Sequence, residues 1–294
     1  MLNSARSVLL ESAKNFYANG ALQSAGAVAY YSLLSMAPLL LIVIAIAGIF
    51  FADGVVQTQL LSQMNNLIGS EGADLVETLI TNTESEEKSK ISLVVGTALT
   101  LFGATTVFAQ LQVALNRVWK VEAKPGNAIW NFIKHRLLSF ALVLSIGFLL
   151  LVSLVVSAAL AATHEYLNSA VSDVTVIWEA VNLVLSFGLA TLLMALMFKY
   201  LPDAEIKWRD TWFGGFVTAV LFIIGKTAIG IYLGQASVAS SFGAAGSVVV
   251  FMIWVYYASV IVLLGAEITH SVAKLRGARV PPADHAKRKQ RRVD

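Results

Sequence analysis

Residues 245–270, AGSVVVFMIWVYYASVIVLLGAEITH, are long and apolar enough to cross a lipid bilayer as one helix. They carry no charged residue before Glu267 and exceed the ~20 residues that a membrane-spanning helix needs. The same character recurs in five segments upstream: 28–51, 91–114, 137–162, 176–199 and 212–234. The sequence therefore predicts an all-α, polytopic membrane protein with six transmembrane helices.

The basic residues indicate how these helices are oriented in the membrane. The gaps that would share one side carry 2, 5, 3 and 8 Lys and Arg residues, which is 18 of the 21 in the chain, whereas the other side carries 2. Lys and Arg collect on the cytoplasmic side, so both termini are predicted to be cytoplasmic. A hydrophobic content of 57% and a charged content of 13% fit a multi-pass membrane protein, for which a plasma membrane or a bacterial inner membrane is the simplest location.

The segments between the spans complete the predicted organisation. Residues 1–275 are expected to form one transmembrane domain, with an interfacial amphipathic helix at 2–17 and a helical cap on the outer face at 52–90. Residues 276–294 are expected to form a flexible basic tail. The apolar stripe of the first helix consists of Leu2, Ala5, Leu9, Ala13 and Phe16. This stripe faces either the bundle or the lipid, and the sequence leaves both open.

Ionisable residues inside the spans are the first candidates for a substrate site, because a charge in hydrocarbon is costly unless it is paired or hydrated. Lys226 lies in the fifth predicted span, at a depth from which it could reach Glu179 in the fourth. One interpretation is a buried ion pair or a snorkelling lysine. The other is a water-filled, outward-facing cavity in which Lys226 meets an anionic group such as a phosphate.

Other spans and loops carry further candidates. A stripe of small and polar residues follows the second span, and it consists of Gly96, Thr100, Gly103, Thr106, Gln110 and Arg117. It serves either close helix packing or the wall of a pathway. The Gly230–Gly234 GxxxG pattern is interpreted as a packing face, with a dimer face as the alternative. Arg136 and Arg209 are expected to contact lipid headgroups on the cytoplasmic side.

The residues also argue against several kinds of chemistry. The chain has no cysteine, which excludes disulfides and thiolate ligands. The carboxylates and imidazoles on the predicted cytoplasmic side are scattered, without the spacing of a metal site: Glu122, His135, Asp203, Glu205, Asp210, Glu267, His270 and His285. We therefore expect no enzyme, no catalytic residue, no metal, no cofactor and no nucleic-acid partner. The expected partners are membrane lipids, especially anionic ones, and a homo-oligomer is left open.

A series of short motifs along the chain resembles one known family. The motifs are AYYSLLSMAPL (29–39), ALNRVW (114–119), YLP (200–202), FGAAGS (242–247), IWVYY (253–257) and GAE (265–267). Their marker positions are Tyr30, Pro38, Asn116, Pro202, Gly246 and Glu267. In this order the motifs are similar to those of the YihY/BrkB family of bacterial inner-membrane proteins, and they extend over nearly the whole chain.

The resemblance implies a six-helix inner-membrane protein without an agreed activity. Members have carried a ribonuclease label, which is regarded as an error, and have been linked to transport, including transport of envelope lipids. The scattered acidic residues of this chain do not favour a nuclease. We expect a transporter or translocation pathway for an anionic or amphipathic envelope component such as a lipid. The alternatives are an ion channel or antiporter that uses Glu179 and Glu267, and a non-transporting membrane scaffold.

Overall fold

The computed structural model describes residues 2–47, 106–124, 175–235, 246–278, 280–283 and 285–288, together with isolated helical positions between 58 and 78. The third predicted span, most of the second and most of the predicted outer cap lie outside these residues. The described helices are α1 (Leu2–Ala18), α2 (Ala21–Ala47), α3 (described over 106–119), α4 (Thr175–Tyr200), α5 (Trp208–Gln235) and α6 (Gly246–Leu275).

Four of these helices coincide with predicted spans. α4 and α6 begin within one residue of the predicted starts at 176 and 245, and α5 contains the predicted span at 212–234. α2 begins earlier than predicted and continues without interruption through Pro38. Both α5 and α6 are long and apolar enough to cross a membrane, yet only 33% of the residues in their apolar windows are buried. Their remaining apolar surface suits a lipid environment, and the predicted helical fold is confirmed.

α1 lies against α6 and turns sharply into α2. Its buried side chains, Val8, Ser12 and Phe16, recur every four residues and therefore form one face. Gly20 allows the turn because its backbone has a φ of 64°, a conformation that side chains disfavour. Leu9, at 60% exposure, and Leu10 point away from the bundle. The buried stripe thus differs from the predicted one, and α1 keeps apolar side chains outward for contact with lipid.

α5 packs between α4 and α6 through glycines. A Cβ at Gly215 would overlap the backbone of α4 at Thr191 and Ala195. A Cβ at Gly265 on α6 would likewise overlap the side chain of Thr218 on α5. Small residues that permit such close approach are typical of helix contacts in membranes. At Gly230 no atom of another described residue outside its own stretch of α5 lies within 4 Å of the place that a Cβ would take, so the GxxxG interpretation stays a prediction.

One apolar core joins the helices at a single end of the molecule. It is formed by side chains from α1, α2, α3, α4, α6 and the segments next to them, and its largest fully buried members are Phe198, Leu115, Ile206 and Leu263. We call this the basic end, and we define it by α1, the segments 120–124 and 201–207, and the tail from residue 276. The segments predicted to share the cytoplasmic side meet here.

The tail is docked at the basic end, in contrast to the predicted flexible segment. After α3 the chain turns at Lys120, whose φ is 56°, and forms strand β1 (Val121–Ala123). Strand β2 (Ala286–Arg288) pairs with it in antiparallel register, with Glu122 opposite Lys287. Pro282 forms a bridge with Ala204. These backbone hydrogen bonds hold the tail, and they add a small two-stranded sheet to the predicted all-α fold.

Candidate functional site

Asp203 collects hydrogen bonds from two other parts of the basic end, α3 and the tail. Its carboxylate is buried and only 5% of the residue is exposed. Oδ1 lies 3.0 Å from Nε2 of Gln112 and 3.0 Å from Nε2 of His285. Oδ2 accepts a hydrogen bond of 2.8 Å from Nδ2 of Asn116, and Oδ1 of Asn116 accepts one of 2.8 Å from the Asp203 amide.

These contacts join Asn116 of one sequence motif to Asp203, the residue that follows Pro202 of another. An ionised carboxylate accepts several hydrogen bonds and donates none, so one aspartate can join α3, the 201–207 segment and the tail. The carbonyl of Asp203 also accepts a hydrogen bond of 3.0 Å from the amide of Ala283. Asp203 therefore acts as a buried fastening point, and its two oxygens are occupied by protein donors. In the sequence Asp203 and His285 look unrelated, because 82 positions separate them.

A second buried carboxylate, Glu267, lies beneath α1. No part of the residue is exposed. Its Oε1 accepts a hydrogen bond of 2.5 Å from Nδ2 of Asn19, which comes from the turn between α1 and α2. Oε2 has no hydrogen-bond partner among the described residues. Oγ of Ser12 lies 3.0 Å from Oγ of Ser271 and 3.4 Å from the backbone carbonyl oxygen of Glu267, so α1 packs directly against α6 at this position.

Two further polar atoms near Glu267 also lack partners within the described part of the chain. They are Nδ1 of His270 and Nε1 of Trp119, and both are buried. His270 follows Glu267 by three positions on α6, a spacing that puts both side chains on one face. The rings of Trp119 and His270 meet edge to face with centroids 5.2 Å apart. We call Glu267, His270, Trp119, Asn19 and Ser12 the Glu267 cluster.

Charged groups surround the Glu267 cluster at the surface. Lys120, Lys274, Arg288 and Glu11 all act electrostatically on His270. Lys274 also forms an ion pair with Glu11 of α1, and this hydrogen bond holds the pKa of Glu11 below its ordinary value. Both partners are partly exposed, so the pair contributes little to stability. The basic residues give this surface a positive potential beside the buried carboxylate.

Lys226 lies far from the basic end, on the exposed side of α5. It is exposed together with its neighbours Ile223, Ile224 and Thr227, and Ile224 is 63% exposed. It precedes Tyr232 by six residues, which is about 9 Å along a helix axis. An ammonium group is thus presented on an apolar surface within a helix of membrane-spanning length.

A family model named virulence factor BrkB matches residues 12–290. The chain belongs to the BrkB family. This confirms the family that the sequence motifs resemble. Relatives of this BrkB protein include UPF0761 membrane proteins of Rhodospirillum centenum, 28% identical over 93% of this chain and 59% of the relative, and of Psychrobacter, 25% identical over 91% and 48%. One from Vibrio vulnificus is 26% identical over 85% of this chain and 77% of the relative.

The chain spans about half the length of the first two relatives. No solved structure matches it. Because the relatives are named as membrane proteins and come from bacteria, the predicted bacterial inner-membrane location is confirmed.

The structure of this BrkB protein separates the predicted site residues into groups. Thr106 and Gln110 are half-buried on α3, and Arg117 donates a hydrogen bond of 3.0 Å from Nη1 to Oγ of Ser24 on α2. Arg209 is exposed in the first turn of α5. The side chain of Glu179 and all of Arg136 lie outside the described residues, so the Lys226–Glu179 pair stays a prediction.

The marker positions have different surroundings. Asn116 and Pro202 belong to the Asp203 site, and Glu267 is the centre of its own cluster. Gly246 is the first residue of α6, and Tyr30 is half exposed with its ring packed edge to face on Tyr31. The described residues contain no group of three acidic, histidine or cysteine side chains placed to hold a metal ion. Asn19 and Trp119 carried no pattern in the sequence that would have linked them to Glu267, whereas the three-residue spacing of His270 from Glu267 in a predicted helix could have done so.

Proposed function

We propose that this protein is a translocation pathway for an anionic, amphipathic component of the bacterial envelope, with a phosphate-bearing lipid as the class of cargo. The proposed role involves no enzymatic step, no cofactor and no nucleic acid. The observation that carries it is the exposure of Lys226 on the apolar surface of α5.

The cost of an exposed charge in hydrocarbon supports a ligand at this position. A lysine at the centre of a membrane helix costs about 2.5–3.5 kcal/mol on insertion scales. A lipid phosphate beside Lys226 would offset that cost by neutralising the ammonium group. The acyl chains of the same molecule would cover the exposed side chains of Ile223 and Ile224. An amphipathic anion therefore matches both features of the surface, whereas a small inorganic anion matches only the charge.

The basic end supplies the second part of the proposal. We infer six spans with both termini in the cytoplasm, because the segments rich in Lys and Arg meet at this end and basic residues favour the cytoplasmic side. Arg117 and Arg209 are exposed there and are suited to contact anionic headgroups, as Arg136 is by its sequence position. A lipid leaving or entering the cytoplasmic leaflet would meet these residues, and Lys226 would meet it deeper in the membrane.

The test is movement of a fluorescent anionic phospholipid between the leaflets of proteoliposomes that contain the purified protein. We expect wild-type protein to move the lipid faster than empty vesicles do. Lys226→Met removes a charge-assisted contact worth about 1.5–3 kcal/mol, so the rate should fall about tenfold or more. Lys226→Arg keeps the charge and should retain most of the activity.

Thr227→Met is the matched control, because it places the same side chain at the next exposed position of α5. It should move lipid at the wild-type rate. Equal rates for wild type and Lys226→Met would remove the role assigned to Lys226. Wild-type vesicles that move no more lipid than empty ones would overturn the transport proposal and favour a scaffold.

A further inference from the structure

We propose that Glu267 and His270 form a proton-binding site beneath α1, and that the pair takes up and releases one proton during the working cycle of the protein. The site lies in the basic end, far from Lys226 along the chain, and it is independent of the cargo proposed above. It rests on three unpartnered polar atoms and on the way that α1 closes over them.

Three polar atoms of the Glu267 cluster lack hydrogen-bond partners among the described residues. Oε2 of Glu267, Nδ1 of His270 and Nε1 of Trp119 are all buried, and none has a hydrogen-bond partner in the described part of the chain. Buried polar atoms are nearly always hydrogen-bonded, and each unsatisfied one costs about 1–3 kcal/mol. Three unsatisfied buried atoms in one cluster of side chains indicate a functional site.

The three atoms complement one another as hydrogen-bond donors and acceptors. The indole Nε1 only donates, the carboxylate oxygen accepts, and the imidazole nitrogen does either according to its tautomer. Such a set suits a mobile proton with its water far better than a metal ion, because the indole N–H is not a metal ligand. Proton binding joins one proton to Glu267 or to His270 and leaves the other groups unchanged. Release returns the same proton to water, so no co-reactant is needed.

Binding of a proton changes the charge that is buried at Glu267. With no proton bound, Glu267 is a fully buried carboxylate that receives one hydrogen bond, from Asn19. With one proton bound, the pair is neutral or is an ion pair of carboxylate and imidazolium. Either arrangement removes the isolated buried charge, which is the costly state. The energetic difference between the two states is what a proton-driven step requires.

Charged groups from four parts of the chain act electrostatically on the pair at His270. The turn after α3 contributes Lys120, α6 contributes Lys274, β2 contributes Arg288 and α1 contributes Glu11. Lys274 and Glu11 pair with each other. Asn19 contacts the Glu267 carboxylate from the turn after α1, and Ser12 of α1 contacts the Glu267 backbone. Proton binding therefore occurs where α1 and the turn after it pack against α6.

The experiment is a pH-difference infrared spectrum of the purified full-length protein in detergent, with no lipid cargo present. Going from mildly alkaline to mildly acidic pH, wild-type protein should gain the C=O band of a protonated carboxylic acid. Glu267→Gln keeps an acceptor for Asn19 but cannot take up the proton, so this band should be lost. Glu122→Gln is the matched control, because Glu122 is a half-exposed carboxylate at the same end and pairs with Lys287. It should keep the band.

A second measurement needs no change at Glu267. Trp119 packs on His270 beside Glu267, so its emission reports a change in the surroundings of the site, and the fluorescence that is lost in Trp119→Phe should depend on pH in the same range as the carboxylic band. A band that persists in Glu267→Gln would overturn the proposal. A wild-type protein with neither the carboxylic band nor pH-dependent Trp119 emission would also overturn it. Since no cargo is present, these outcomes do not depend on whether lipid moves.

Discussion

At the scale of single residues, Asp203 shows how one carboxylate fastens segments that are distant in sequence. Its partners Gln112, Asn116 and His285 come from α3 and from the tail. An amide such as Asn116 can both donate to the carboxylate and accept from the backbone of the same residue, which fixes the relative position of the two segments. The Asp203 site is therefore a structural element of the basic end, separate from the proposed transport and proton sites.

Replacing Asp203 by asparagine tests this fastening role. One oxygen of the side chain becomes an NH2 group that faces a donor, so at least one charge-assisted hydrogen bond is lost. We expect Asp203→Asn to lower the free energy of unfolding by about 1–3 kcal/mol. The measurement is the thermal unfolding temperature of the purified protein in detergent.

Glu205→Gln is the control for this change, because Glu205 is an exposed carboxylate two positions further along the same segment. It should unfold at the wild-type temperature. If Asp203→Asn is as stable as Glu205→Gln, then the hydrogen bonds to Asp203 do not hold the tail.

The limits of sequence reasoning are visible at these same residues. Asn116, Pro202 and Glu267 were found because they lie in ordered motifs, and all three are at structural centres of the basic end. The partners Asn19 and His285 were not found, because hydrogen bonds between distant segments leave no periodic pattern. Lys226 was singled out as an unusual charge in an apolar span, yet its exposure depends on which face of α5 the other helices cover.

At the scale of elements, α5 and α6 meet through two matching pairs. Gly214 and Thr218 on α5 face Thr269 and Gly265 on α6, and each threonine hydroxyl donates back to the carbonyl of the glycine four positions before it. The pairing is antiparallel, so each glycine makes room for the threonine of the other helix. Hydropathy predicted the extent of both helices, but it could not predict which small residues would meet.

Adding one methyl group at this contact tests the close approach. In Gly265→Ala the new Cβ overlaps the side chain of Thr218, so the helices must move apart. Overpacking of this kind costs about 1–3 kcal/mol, and we expect a matching fall in unfolding temperature. Thr218→Ala removes the hydroxyl and methyl groups and leaves only Cβ in close contact, so the double variant should recover part of the lost stability.

Gly230→Ala is the control, because no described residue outside its own stretch of α5 lies within 4 Å of the new Cβ and the substitution adds helix propensity. It should not destabilise the protein. A double variant that is less stable than either single variant would contradict the proposed contact between Gly265 and Thr218.

At the scale of the whole molecule, the basic segments are brought together although they are far apart in the sequence. The tail pairs with β1 and bridges to the 201–207 segment, and Arg276 forms an ion pair of 3.1 Å with the buried Asp210 at the start of α5. The charge count predicted that these segments share a side of the membrane. It could not predict that the tail would dock, because the hydrogen bonds that hold it are made by the backbone.

The basic end is predicted to face the cytoplasm, and the absence of cysteine in the sequence makes this orientation simple to test. A single cysteine introduced by Glu205→Cys is exposed at the basic end, and one introduced by Ser85→Cys lies in the predicted outer loop. In intact bacterial cells, a membrane-impermeant maleimide should label Ser85→Cys and spare Glu205→Cys until the inner membrane is permeabilised. The positive-inside rule gives this direction because 18 of the 21 basic residues fall on the side of Glu205. The reverse pattern would put the Glu267 cluster on the outer face, where any proton would enter from the periplasm instead.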